Sequence, residues 1–160
     1  MGFFASNTRK SAPPRERLTV LRELYRMREA QTQTASTTLQ YALHFRNTFP
    51  RVALLFAEIS KTANSHAEVL QQLLQQNNIS LPKKDAAPVN PCTCEQNDVA
   101  SARDALHRSA TDCRTLAMQC HLTAKLTRNA ALQNTLLQIA ERNEEHASAL
   151  DSMGARLSRS

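Results

Sequence analysis

The chain of 160 residues contains only two glycines, Gly2 and Gly154. Phosphate-cradling loops of the Walker and Rossmann kinds need glycine where backbone approaches a phosphate, so nucleotide chemistry of that type is excluded. Tryptophan is absent and aromatic residues make up 4% of the sequence. Stacking platforms for single-stranded nucleic acid are therefore missing. The net charge is +6, but the basic residues are scattered, and the short tract of Arg9, Lys10, Arg15 and Arg17 does not make nucleic acid the expected partner. No apolar run approaches the roughly 20 residues of a membrane span. Phe3 and Phe4 form too short an apolar segment for a secretory signal, so a cytoplasmic location is expected, with the four cysteines reduced. Met1-Gly2 with Ser6 fits the minimal myristoylation pattern. So short a pattern matches often by chance, and lipidated membrane contact is not expected.

What the chain does have is helical punctuation and helical periodicity. Its six prolines, Pro13, Pro14, Pro50, Pro82, Pro88 and Pro91, fall near the start, at one turn and in one loop. Residues 1–14 read as a flexible N-terminal arm, and 15–157 as a bundle of helices over about 15–46, 51–76, 97–126 and 130–157. In the first helix Leu18, Leu21, Tyr25, Leu39 and Leu43 mark one side, and its middle from Glu29 to Thr38 is unusually polar. The segment 77–95, which carries Cys92 and Cys94, is long for a loop in a compact domain. It suits a crossover between two hairpins: about 20 extended residues reach roughly 66 Å, against about 39 Å for a helix of about 26 residues. The expected fold is all-α, a four-helix bundle made of two helical hairpins joined by a long crossover loop.

Read at a spacing of 80 residues, the chain repeats itself. Val52, Phe56, Ile59, Ala63, His66, Leu70 and Leu73 form one apolar stripe, and Leu132, Leu136, Ile139, Asn143, His146, Leu150 and Met153 form its counterpart. Each copy places one histidine on the buried seam. Residues of an antiparallel hairpin lie at one height when their numbers average to the turn. Asp112 and His146 average to 129, Glu29 and His66 to 47.5, and both values fall within turns, although the strict repeat equivalent of Asp112 is Thr32. On the third helix Cys113 and Cys120 share a face with Leu106, Ala110, Ala117 and Ala124 and read as core thiols. Cys92 and Cys94 read as labile loop thiols.

The stretch FAEISKTANSHAEVL at 56–70 resembles the second helix of the rubrerythrin-like branch of the ferritin-like superfamily, and IAERNEEHASAL at 139–150 resembles its fourth. As architecture the resemblance covers residues 16–157. It implies two irons held by a glutamate from the first and third helices and a Glu-x-x-His pair from the second and fourth. Carried over, His66 and His146 match the histidines, and Glu29 and Asp112 approximately match the first- and third-helix carboxylates. The positions three before each histidine are Ala63 and Asn143, where the family's bridging glutamates belong. Alanine supplies no oxygen and asparagine only a neutral one.

Three readings follow. In the first, the site is vestigial: the histidines are neutral core groups, bonded to one another, to Asn143 or to Asp112, and the polar layer fixes helix register. In the second, His66, His146, Asp112 and Glu29 hold one iron, manganese or zinc ion. In the third, a di-iron oxidoreductase of the rubrerythrin type persists with unconventional ligands. The first makes the protein a non-catalytic binding or scaffold bundle, working through its surface with a protein partner or a second copy. The others make it a metalloprotein.

Overall fold

The computed structural model describes residues 14–77 and 96–159. The arm before Pro14 and nearly all of the 77–95 loop, with Cys92 and Cys94, lie outside the described residues. Those residues form four helices and no strand: α1 Pro14–Phe45, α2 Pro50–Gln76, α3 Val99–Leu126 and α4 Ala130–Ser158. None is long and apolar enough to cross a membrane.

Local chemistry explains the helix ends. Pro50 opens α2, where its missing N–H has no intrahelical acceptor to lose and its fixed φ suits the first turn. Asp98 caps α3 by accepting a hydrogen bond from the Ser101 amide at 2.7 Å, and Asn129 caps α4 by accepting from the Leu132 amide at 3.0 Å. The Gln133 side chain donates to the Thr127 carbonyl at 2.7 Å and closes the α3–α4 turn.

α1 packs along α2 and α3 along α4; α1 also lies along α3, whereas α2 and α4 touch over a much shorter stretch. The inward face of α3 is built from small side chains, Ala102, Ala105, Ala110, Ala117 and Ala124, which let α1 approach closely. Two links fix relative heights: the Ser60 hydroxyl donates to the Ala35 carbonyl at 2.7 Å, and Cys120 Sγ meets Met27 Sδ at 3.5 Å.

The buried face of α1 differs from the expected one. Val20, Leu24, Met27, Gln31, Ala35, Thr38, Tyr41 and Phe45 turn inward, whereas Leu18, Leu39 and Leu43 are 64%, 49% and 58% exposed. Leu21 and Tyr25 are partly buried at the edge of the core. The true stripe carries Gln31 and Thr38 at two of its turns, so a search for evenly spaced leucines selects the neighbouring stripe instead.

The apolar core divides in two. One cluster joins Tyr41 and Phe45 at the end of α1, Val52 and Phe56 at the start of α2, Ala102 to Cys113 in the first half of α3, and Ala147 and Leu150 late in α4. The other joins Val20, Leu24 and Met27, Leu70 and Leu74, Ala117 to Ala124, and Leu132 to Ala140. The first is aromatic, with the Tyr41 and Phe56 ring centres 5.0 Å apart. The second is aliphatic.

Candidate functional site in the core polar layer

Four of the buried residues that belong to neither apolar cluster mark where the two meet. Gln31 of α1 follows Met27, Ala63 of α2 lies between Ile59 and Leu70, Leu116 of α3 precedes Ala117, and Asn143 of α4 separates Ile139 from Ala147. With His66 and His146 they make a layer at mid height, more polar than the core above and below.

His146 is 5% exposed, and its Nε2 is buried without a hydrogen-bond partner. Gln31, 1% exposed, leaves both its side-chain nitrogen and oxygen buried and unpartnered. Asn143 spends its amide within its own helix, donating to the Ile139 carbonyl at 2.9 Å. His66 is half-buried. Burial pulls its pKa down from 6.5 to about 4, and the neighbouring His146 and Arg142 push it the same way. His146 is also lowered, first by burial and then by Arg142, while Glu58 and Glu145 work in the opposite direction. His66 shows the large depression, and the carboxylates that favour a charged imidazole act on His146. Both imidazoles are neutral at pH 7.

The charged groups around the pair lie at the surface of the α2–α4 seam. Arg142 meets Glu145 at 2.9 Å and Glu58 of α2 at 3.7 Å, so its guanidinium bridges the two helices beside the histidines. Neither Arg142 nor Glu58 lies on an apolar stripe, so the sequence does not mark them as partners of this layer. Long side chains reach across a seam from positions that no apolar stripe marks.

The structure brings His66 and His146 close enough to act on each other's protonation, and places the other two expected donors elsewhere. Asp112 is an exposed residue, and desolvation against the helix surface raises its carboxyl pKa. The charge acts on the Cys113 thiol, which burial first and Asp112 second push up to about 12. Glu29 takes an ion pair from Arg28 at 2.7 Å, and the other arm of Arg28 reaches Gln71 of α2 at 3.5 Å. Thr32, the repeat equivalent of Asp112, donates to the Arg28 carbonyl at 2.9 Å. Burial raises Cys120 to about 12 as well, so both core cysteines are protonated thiols with weak affinity for metal.

Among the described residues, no group of three or more histidine, cysteine, aspartate or glutamate side chains is placed to hold a metal ion. Two irons need several anionic bridging and terminal oxygens to offset their charge. The donor set at this layer, two neutral imidazoles beside a guanidinium, does not fit such a centre. The missing signal for Gln31 was present in the sequence as the polar middle of α1, on a stripe that continues Val20, Leu24 and Met27 at helical spacing.

Comparison of the chain with protein-family models, with curated proteins and with solved structures finds no match.

Proposed function

We propose that this protein is a ferritin-like bundle of two hairpins joined by a crossover segment, with a vestigial, metal-free polar layer, and that it serves as a non-catalytic binding or scaffold protein in the cytoplasm. The architecture is supported by the membership of the first core cluster, which gathers the start of α2 and the start of α3 at one end. Helices α2 and α3 then point the same way, the arrangement that a crossover connection serves.

The observation that carries the functional reading is the composition of the mid-height layer. Its buried polar groups, Gln31, Asn143 and His146, are neutral, and Asn143 is committed to its own helix. Such a layer has a structural use. Sliding one helix by a turn would drive these groups against the apolar clusters and bury them away from one another. A polar layer of this kind within an apolar seam favours the register that keeps its members at one height. Arg142 beside the histidines opposes entry of a cation at the same place.

Thermal unfolding with and without added zinc, manganese or ferrous iron tests this. An unchanged Tm supports the register layer. A ligand that binds the folded state at a hundred times its Kd would add about 2.7 kcal/mol and raise Tm by several degrees.

A second reading, a single-ion site, rests on the mutual proximity of His66 and His146, one from each repeat. Under that reading His66→Ala and His146→Ala each abolish metal uptake while Cys92→Ser does not. Equal metal content in all three variants rules it out.

A further inference from the structure

Where α2 and α4 part at the aromatic end of the bundle, they leave a groove of about 380 Å³ between the α1–α2 turn and the last turns of α4. Phe49, Val52, Met153 and Leu157 give it an apolar lining, Arg51 stands on the α2 side and Arg156 on the α4 side, and no acidic residue lines it. The size is within the range of sites that hold small organic ligands.

The two arginines are the informative part. Some cations on this surface are matched, Arg114 with Asp151, Arg108 with Asp104, Arg26 with Glu23 and Arg142 with Glu145, and others such as Arg46 and Lys61 are not, among the described residues. Arg51 and Arg156 have no side-chain hydrogen bond or ion pair among the described residues, and neither has an interaction left unstated. The first turn of α2 also carries no acidic residue and no side-chain cap, which adds to the positive potential. An apolar trough edged by two uncompensated guanidiniums is complementary to a molecule with a hydrocarbon body and an anionic head. Guanidinium suits a carboxylate in particular, because its parallel N–H donors match the two oxygens.

We propose that this groove binds the monomeric carboxylate of a single-chain amphiphile, a medium-chain fatty acid, with the chain against Phe49, Val52, Met153 and Leu157 and the carboxylate held by Arg51 and Arg156. The site is separate from the mid-height polar layer, so it stands or falls independently of the metal question.

Decanoate, kept below its micelle concentration, is titrated into the full chain and followed by calorimetry, with decanol, acetate, inorganic phosphate and phosphatidylglycerol vesicles as comparison probes. The same titrations are run on Arg51→Gln, Arg156→Gln and the control Lys125→Gln, all checked for unchanged Tm. The expected result is saturable decanoate binding near one per chain. It should weaken about tenfold with each groove variant and not with Lys125→Gln, and decanol and acetate should bind at least tenfold more weakly. Four results would overturn the proposal: no decanoate binding, binding unaffected by both groove variants, phosphate or acetate matching decanoate, or binding to vesicles without binding to the monomer.

Discussion

The two hairpins place a histidine at equivalent positions 80 residues apart, but they surround it differently. In the second hairpin α4 alone supplies the polar character, with Asn143 and His146 both buried one turn apart. In the first, α2 has Ala63 at the position of Asn143, and the buried polar group comes from the partner helix as Gln31 of α1. A metal centre needs given donors at given places, whereas a register layer needs only polarity at the right height. Two copies that agree in polarity and differ in which helix provides it fit the second requirement.

That comparison is broken most severely by installing the absent carboxylates. Ala63 and Asn143 are both nearly inaccessible, 3% exposed each. Ala63→Glu combined with Asn143→Glu should lower stability in urea by several kcal/mol without metal, since each uncompensated buried charge is costly. Cobalt(II) should recover part of the loss and produce a visible absorption. A double variant as stable as the parent without metal would show that these positions are not interior.

The next largest effect compares like with like. Leu70 and Leu150 follow the two histidines by four residues and are fully buried, one in each apolar cluster. Leu70→Ala and Leu150→Ala should each cost about 2–5 kcal/mol. A near-zero loss in either would mean that one hairpin does not pack as described.

Acid should distinguish the two histidines by a smaller amount. In the unfolded chain both titrate near the ordinary value of about 6.5. In the folded chain His66 binds its proton only near pH 4, and His146 also binds below its ordinary value. Well above pH 6.5 neither state is protonated and the histidines contribute no pH dependence. As pH falls through 6.5 the unfolded state takes up protons that the folded state refuses, so stability declines down to about pH 4, where the His66 contribution levels off. Urea midpoints between pH 7 and 4.5 should fall, and His66→Gln should remove the larger share of the two histidines' contribution. A slope unchanged in His66→Gln would place that imidazole in water.

The smallest effect is expected at His146. Its Nε2 has no partner, so His146→Leu removes a buried polar group rather than a hydrogen bond. Stability should stay within about 1 kcal/mol of the parent, of either sign. A loss of 3 kcal/mol or more would reveal a strong interaction at the other ring nitrogen.

Much of the helical framework was legible because period and punctuation agree. Leu132, Leu136, Ile139, Asn143, His146 and Leu150 of α4 are all buried at the spacing read from the sequence. On α2 the stripe drifts by one residue at its end, where Leu74 is buried and Leu73 only partly so. The rotation of α1 was not legible, because its core face is marked by polar Gln31 and Thr38 while three of its leucines face water. For the candidate site, averaging residue numbers about a turn carries no information on the angle around a helix, and Asp112 is an exposed residue of α3. Arg142 was invisible for a related reason: it reaches the layer by the length of its side chain, from a surface position on α4.

The most direct test is the content of iron, manganese, zinc and copper per chain, measured by mass spectrometry on untagged protein purified without chelators. A neutral register layer predicts far less than one metal ion per folded chain, with the same value in His66→Ala. A stoichiometric ion that disappears in His66→Ala would contradict it and establish the two histidines as ligands.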